Sequence, residues 1–245
     1  MSPDYLQTST LKEIVSQNFQ TAAIFEKYSL DFCCRGGVTI EQACKDKGIA
    51  PSVIFDELSK ISGTESVEVS RFAQWAPEFL VDYIVSNHHA YVAAAIPVIR
   101  AHTQKVAAVH GANHPEVIKI AEAFERVADD LLQHMRVEEQ ILFPYIKQLI
   151  AAKEGNVPVD RSPFGSVRNP VRMMEMEHQA AGDEMYNIRS LTGGYVPPED
   201  ACTTYRISFK ELQEFERDLH QHVHLENNLL FPKAVLLEDE LLARG

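Results

Sequence analysis

The sequence lacks any long hydrophobic run, which bears on where the protein works. No window of about 18 apolar residues, the length typical of a membrane-spanning helix, occurs in its 245 residues. The N-terminal stretch MSPDYLQTST has neither the basic start nor the apolar run of a signal peptide. We therefore expect a cytoplasmic protein without a membrane partner.

Basic residues and cysteines are also scarce. The chain has 23 Lys and Arg against 35 Asp and Glu, a net charge of −12, which disfavours nucleic acid as a partner and is compatible with cation binding. Its four cysteines, Cys33, Cys34, Cys44 and Cys202, are too few and too scattered for a secreted disulfide scaffold, so we expect thiols. Cys44 and Cys202 are expected to be buried apolar side chains.

The N-terminal part of the chain predicts a small helical domain. Thr10 and Glu13 have the spacing of a capping box, and apolar residues then recur at helical spacing up to the break at SLDFCCRGG. Two further short helices are predicted, from Thr39 to about Lys47 and from Ser52 to Ile61. Residues 1–62 would thus form a domain near the lower size limit for an independent core, which favours docking onto a second chain, as in a homodimer.

The rest of the chain predicts a four-helix bundle. Residues 63–76 are polar, aperiodic and closed by a proline, as expected of a linker. Four long periodic stretches follow within residues 77–245, at about 77–108, 115–151, 168–191 and 198–238. The loop at about 152–170 is longer than bundle loops usually are, which leaves a mobile or functional role open. The expected fold class is all-α.

Two segments of the predicted bundle share one skeleton. DLLQHMRVEEQILFP (130–144) and DLHQHVHLENNLLFP (218–232) agree on D-L-x-Q-H-x-x-x-E-x-x-x-L-F-P. Residues i and i+4 lie on one helix face, so His134 projects beside Glu138, and His222 beside Glu226. Both pairs fall on apolar stripes, so we expect them to face the interior.

The other two bundle helices each supply an inward histidine, His89 and His178. His89 lies 45 residues before His134, and His178 lies 44 before His222, so the chain reads as two similar hairpins. A single core histidine is usually just hydrogen-bonded and a single Glu is usually at the surface. Four His and two Glu at one repeated spacing would cost several kcal/mol to bury unless paired or metal-bound, which favours a metal centre.

The number and type of these ligands indicate which metals fit. Six side chains exceed what one tetrahedral zinc takes, and a set without cysteine does not favour a soft metal. Two irons bridged by Glu138 and Glu226 would each have two imidazoles and two carboxylate oxygens, with positions left open. Manganese or zinc stays an alternative. Asp130 and Asp218, four residues before a histidine of each repeat, either orient that ligand or are solvated surface acids.

Some neighbouring residues leave the assignment open. His88 is a rival to His89, and His220 with His224 forms a competing i, i+4 pair, although only His222 and Glu226 match the second helix. Pro144 and Pro232 each remove a helical hydrogen bond, which predicts either a bend beyond the metal layer or the end of the helix.

Four segments resemble a known family in this order along the chain. They are KYSLDFCCRGG, HMRVEEQILFP, EMEHQAAG and HVHLENNLLFP, which together look like the repair-of-iron-centres family of iron–sulfur cluster repair proteins, with a hemerythrin-like domain. The resemblance covers nearly the whole chain. It implies a non-haem di-iron centre with bridging carboxylates and an oxo or hydroxo bridge, and a stress role under nitric oxide or peroxide. By motif, the ligands would be His89, His134, Glu138, His178, His222 and Glu226.

Cys33 and Cys34 are a second chemical candidate. They precede two glycines on a predicted turn, where Arg35 would lower the thiol pKa and raise reactivity. A disulfide between adjacent cysteines closes a strained ring that is easily reduced. The alternative is that two small residues fill a turn, although the resemblance favours a role for the pair.

We therefore expect a protein that repairs damaged iron–sulfur proteins by supplying iron, with nitric oxide, O2 or peroxide able to reach the centre. The cysteine domain would serve in docking or redox chemistry. Two alternatives stay open: an enzyme that reduces nitric oxide or peroxide at the di-iron centre, and a carrier or sensor of O2 or nitric oxide.

Overall fold

Helices make up most of the residues that the structure describes. The computed structural model describes residues 3–61, 69–155, 162 and 164–243. Over these ranges it has no strand, only an isolated antiparallel bridge between Thr10 and Thr39, so the all-α fold class is confirmed. Residues 1–80 with 223–233 form one compact unit, and residues 81–222 with 234–245 form another. None of the described helices is both long and apolar enough to span a bilayer.

The first unit is built from short helices with well-formed ends. Thr10 and Glu13 form the predicted capping box, and Thr39 forms a second one with Gln42. Gly48 ends its helix with φ at +66°, in the left-handed region that glycine adopts without strain. The helices are Pro3–Thr8, Leu11–Gln17, the 3-10 turn Phe19–Thr21, Ala22–Lys27, Ile40–Lys47, Pro51–Ile61 and Val69–Gln74.

The core of this unit combines the N-terminal helices with a late stretch of the chain. Leu11, Phe25 and Ile40 are fully buried, as are Leu230 and nearly all of Phe231 from the 223–233 stretch. A unit of about 60 residues alone buries little apolar surface, and the late stretch enlarges its core.

The predicted linker, residues 63–76, lies partly outside the described residues. Residues 62–68 are not described, and Val69–Gln74 is helical. The interpretation of this stretch as a linker stays a prediction.

The second unit contains the predicted bundle. Each of its first, second and fourth helical runs includes a stretch of π-helix. The runs are Pro77–Tyr83, Ile84–His89 (π) and Ala90–His110; Glu116–Val137, Glu138–Leu142 (π) and Phe143–Gly155; Arg168–Leu191; and Thr203–Leu225, Glu226–Leu230 (π) and Phe231–Leu242. The first and the last of these runs are shared with the first unit. Four long helical runs agree with the predicted bundle.

The long loop is shorter than predicted. The second bundle helix continues to Gly155 and the third begins at Arg168, so the connection is 156–167 rather than about 152–170. Residues 156–161 and 163 lie outside the described residues. The end of the loop is anchored to Glu238, which accepts hydrogen bonds from the Ser166 hydroxyl at 2.6 Å and the Val167 N–H at 2.9 Å.

Candidate metal centre

The three π-helical stretches contain or begin with predicted ligands. His89 ends the first stretch, Glu138 begins the second and Glu226 begins the third. The N–H of Phe143 donates to the carbonyl of Glu138, and the N–H of Phe231 donates to that of Glu226, each five residues back. Such widened turns are rare and frequently occur at functional sites.

The widened turns also explain the two prolines. A proline in a helix has no N–H to donate, and its ring clashes with the carbonyl four residues earlier. Pro144 and Pro232 each lie two residues after the last residue of a π-helical stretch, where the backbone has already left the regular α-helical register. The helices continue to Gly155 and Leu242, so the alternative that the prolines end them is wrong.

All six predicted ligands are buried, and none is more than 3% exposed. Their ligand atoms meet in two groups, each with all atoms within 4.8 Å of one another. The groups are His89, Glu138, His222 and Glu226, and His134, Glu138, His178 and Glu226. Each histidine belongs to one group, and both glutamates belong to both groups.

The histidines form two close pairs around Glu138. The Nε2 atoms of His134 and His178 are 2.8 Å apart, and those of His89 and His222 are 3.1 Å apart. Glu138 Oε2 lies 3.4 Å from Nε2 of both His89 and His134. This carboxylate therefore touches both pairs.

Two further carboxylates fix the tautomers of these histidines. His89 Nδ1 donates to Glu139 Oε1 at 2.8 Å, and His134 Nδ1 donates to Glu177 Oε2 at 2.7 Å. An ionised carboxylate only accepts, so Nδ1 holds the proton and Nε2 presents its lone pair. Two such lone pairs then meet the Glu138 carboxylate in a buried site. The residues present therefore fit a bound metal cation, which would relieve this repulsion.

Sequence reasoning missed Glu139 and Glu177. For Asp130 and Asp218 it left two alternatives open, that they orient the histidine four residues later or that they are solvated surface acids. Asp130 is exposed, and Asp218 Oδ1 instead accepts from His88 Nδ1 at 3.0 Å. A residue next to a ligand is turned about 100° around the helix and faces a neighbouring helix, so acids adjacent to the ligands were the available signal.

His88 and His224, the alternatives to the predicted histidine ligands, contact other residues. The ring of His88 lies parallel to that of His222, with centroids 5.7 Å apart, and His88 is in neither ligand group. His224 lies near Phe19 and Phe32, with ring centroids 5.8 and 6.2 Å away, and Asn228 bonds to its Nδ1 at 3.0 Å. Burial lowers the pKa of His224 to about 3, so it is neutral at pH 7.

One edge of the site reaches solvent through a groove of about 620 Å³ between the second and third bundle helices. His134 and Glu177 both line it, and the Glu177 side chain is 47% exposed. The Glu139 side chain, behind His89, is 44% exposed. Each histidine pair is thus linked to solvent through one carboxylate.

If each ligand group holds one ion, replacing Glu177 with glutamine is expected to loosen the ion of the His134 and His178 group selectively. A neutral amide accepts more weakly from His134 Nδ1, and losing such an outer partner typically lowers metal affinity about 10–100-fold. Extraction by a chelator should become biphasic, with the ion at His134 and His178 leaving first. Glu139→Gln should labilise the other ion.

Glu184→Gln is the matched control for this prediction. Glu184 lines the same groove and pairs with Arg126, but it lies six residues past His178. A chelator should extract metal from the Glu184→Gln variant at the wild-type rate. Unchanged single-phase extraction in Glu177→Gln and Glu139→Gln would contradict the orienting role of both carboxylates.

Cys33 and Cys34 lie together on a turn held by Asp31. Asp31 Oδ1 accepts from the N–H of Cys33 at 3.0 Å, from the N–H of Cys34 at 2.9 Å and from the Cys33 thiol at 3.4 Å. Both cysteines are free thiols, with Sγ atoms 3.7 Å apart. The hydrogen bond with the Cys34 thiol, burial and the nearby Asp31 charge raise the pKa of Cys33. The prediction of a lowered pKa is therefore wrong for Cys33.

The other two cysteines differ from each other. Cys44 is fully buried, as predicted, and burial raises the pKa of its thiol. Cys202 is exposed, with Sγ 3.2 Å from His110 Nε2, so its predicted burial is wrong. The physical reason is that the fourth bundle helix begins at Thr203, which leaves Cys202 outside it.

Comparisons with known proteins place both parts of the chain. Residues 80–234 match the hemerythrin HHE cation binding domain, and residues 7–62 match a domain of unknown function, DUF542. The chain is 32% identical to the iron–sulfur cluster repair protein ScdA of Staphylococcus haemolyticus, covering 92% of this chain and 97% of that protein. It is 34% identical to a probable iron–sulfur cluster repair protein of Haemophilus influenzae (86% and 90%). It is 32% identical to the iron–sulfur cluster repair protein YtfE of Dickeya chrysanthemi (94% and 98%).

The helical bundle with its buried His and Glu groups defines a hemerythrin-like cation-binding protein. With its N-terminal unit and these relatives over nearly its full length, the chain belongs to the repair-of-iron-centres family of iron–sulfur cluster repair proteins.

Proposed function

We propose that this protein repairs damaged iron–sulfur clusters and holds two irons in its bundle, bridged by Glu138 and Glu226. The observation that supports this most directly is that both glutamates belong to both ligand groups. One iron would be held by His89 and His222, the other by His134 and His178. Two imidazoles and two carboxylate oxygens per ion leave positions open for an oxo or hydroxo bridge and for a small molecule.

The protein's own residues would position and partly neutralise this pair. Glu139 and Glu177 hold Nδ1 of His89 and His134 protonated, so that Nε2 is free to bind metal. The two buried carboxylates would offset the positive charge of the bound metal. The bound irons would supply redox activity and open positions that nitric oxide, O2 or peroxide can reach.

Iron supply follows from the same arrangement. Because Glu177 is about half exposed and lines the groove, solvent ligands and chelating groups can approach His134 without unfolding of the bundle. This favours a centre whose iron can leave over one that holds it permanently. We propose damaged iron–sulfur proteins as the recipients.

We also propose a division of labour along the chain. The bundle of residues 77–245 would hold iron. The N-terminal domain of residues 1–62, joined to it by residues 63–76, would present Cys33 and Cys34 for docking or redox chemistry with the client.

The test is iron transfer to a damaged client. Protein labelled with a radioactive iron isotope and containing about two irons per chain is incubated with an enzyme whose [4Fe–4S] cluster has been damaged by nitric oxide. We expect the enzyme to regain activity in proportion to the label it acquires, and metal-free protein to be inactive. Reactivation without label in the client would exclude iron supply. Turnover of nitric oxide or peroxide without reactivation would favour the reductase alternative.

A further inference from the structure

The turn that contains the cysteine pair brings three donor atoms together outside the bundle. Asp31, Cys33 and Cys34 each offer one ligand atom, all within 4.8 Å of one another. The two Sγ atoms are 3.7 Å apart, and Asp31 Oδ1 is 3.4 Å from Cys33 Sγ. A tetrahedral divalent ion with metal–sulfur bonds of about 2.3 Å holds its two thiolates about 3.8 Å apart. The cysteine pair already has this separation.

We propose that Asp31, Cys33 and Cys34 form a second metal site, for one divalent thiophilic cation of the Zn²⁺ or Fe²⁺ type. On binding, each S–H proton would pass to solvent as its sulfur–metal bond forms, with no change of oxidation state. Two thiolates and one carboxylate match the preference of such ions for sulfur with a borderline oxygen donor. This inference goes beyond the proposed function and does not depend on it.

The turn is held firmly enough to keep the donors in place. Val38 accepts from the N–H of Leu11 at 2.9 Å, and Gly36 accepts from the N–H of Lys12 at 2.9 Å, which fixes the turn to the start of a helix. Gly36 packs so closely that a Cβ there would lie 2.1 Å from the Phe32 carbonyl oxygen. A site on a backbone fixed in this way binds without first ordering a loop.

The geometry also indicates an exchangeable ion rather than a structural one. Closed structural sites have four protein ligands, whereas this turn supplies three. Cys33 is buried, but Asp31 and Cys34 are only half-buried, so the remaining position faces outward. A thiol, water or carboxylate from outside can therefore complete the coordination.

Cadmium is a suitable probe because its thiolate complexes have an ultraviolet charge-transfer band. The proposed bundle ligands include no sulfur, so the band reports cysteine alone. Full-length reduced protein is titrated with Cd²⁺ without oxygen, and cysteine protection from alkylation is measured by peptide mass spectrometry. We expect the band to saturate at the amplitude of one cadmium bound by two thiolates per chain, whatever cadmium the bundle ligands take up, with Cys33 and Cys34 both protected.

Variants of the three donors locate the site. Cys33→Ser together with Cys34→Ser should abolish the band, and Asp31→Asn should weaken binding at least tenfold while its amide oxygen still accepts the backbone N–H bonds. Cys44→Ser and Cys202→Ser, which change the other two thiols, should titrate like the wild type. The proposal is overturned if wild-type protein shows no saturating band, if the band persists in the double variant, or if cadmium protects Cys44 or Cys202 instead.

Discussion

Replacing Glu138 with leucine is expected to abolish metal binding at both positions and to stabilise the metal-free protein. Glu138 is fully buried and belongs to both ligand groups, so its loss removes a donor from each. In the metal-free state its carboxylate faces Nε2 atoms of His89 and His134 at 3.4 Å in a buried site. Replacing a whole buried ion pair with apolar groups of similar volume is often neutral or stabilising by about 1–4 kcal/mol. The same sign is expected here because Glu138 faces imidazole Nε2 atoms rather than a fixed positive charge.

Glu238 provides a matched control with the opposite expected sign. It is 2% exposed, but it accepts hydrogen bonds from the Tyr145 hydroxyl at 2.9 Å, the Ser166 hydroxyl at 2.6 Å and the Val167 N–H at 2.9 Å. Glu238→Leu would leave these donors buried without an acceptor, at a cost of about 3–5 kcal/mol. It lies about 18 Å along the helix from Glu226, so the metal content should be preserved.

The measurements are metal content per chain and guanidinium unfolding of the metal-free proteins. The two buried glutamates should then give opposite results. Glu138 should be required for metal binding and should destabilise the metal-free fold, whereas Glu238 should stabilise the fold and should not be required for metal binding. Full metal content in Glu138→Leu, or a metal-free form clearly less stable than the wild type, would contradict the role given to Glu138.

The proposed ligands could be found from the sequence because they depend on geometry within one helix. The i, i+4 spacing of His134 with Glu138, and its repeat at His222 with Glu226, fix which side chains share a face whatever the tertiary structure. The hairpin spacing then identified His89 and His178. In the structure all six meet in two groups, and their role as metal ligands stays a prediction.

Which carboxylates hydrogen-bond to the ligand histidines depends on how neighbouring helices are aligned. No simple spacing in the sequence encodes that alignment. Glu177 on the third helical run contacts His134 on the second, and Glu139 on the second contacts His89 on the first. The sequence suggested Asp218 for the same role because it lies on the helix of His222, yet it contacts His88. The π-helical stretches likewise shift the register by a fraction of a turn at the ligands themselves.

The prediction for the thiol pKa of Cys33 failed because of the side chains that surround this thiol. The sequence placed Arg35 beside the pair and predicted a lowered pKa, but the turn directs Asp31 at Cys33 and buries that thiol. The presence of a turn could be predicted from two glycines. Which charged side chain faces the sulfur could not, because it depends on the backbone path through that turn.

Cys33→Ser combined with Cys34→Ser is expected to abolish cluster repair while leaving the bundle fully loaded with iron. Both thiols belong to the N-terminal unit, and neither ligand group in the bundle contains sulfur. Serine is close to cysteine in size, and the backbone N–H groups of both positions would still donate to Asp31. The fold of the turn should therefore persist.

Three measurements on the double variant separate the competing functions. Iron content and nitric oxide binding should equal those of the wild type, whereas reactivation of a damaged iron–sulfur enzyme should fall to the background rate. Cys202→Ser, which changes an exposed thiol of the other unit, should keep full repair. Wild-type repair by the double variant would show that repair does not need these thiols. A loss of iron from the double variant would show that the thiols affect iron binding by the bundle, which would contradict the expectation.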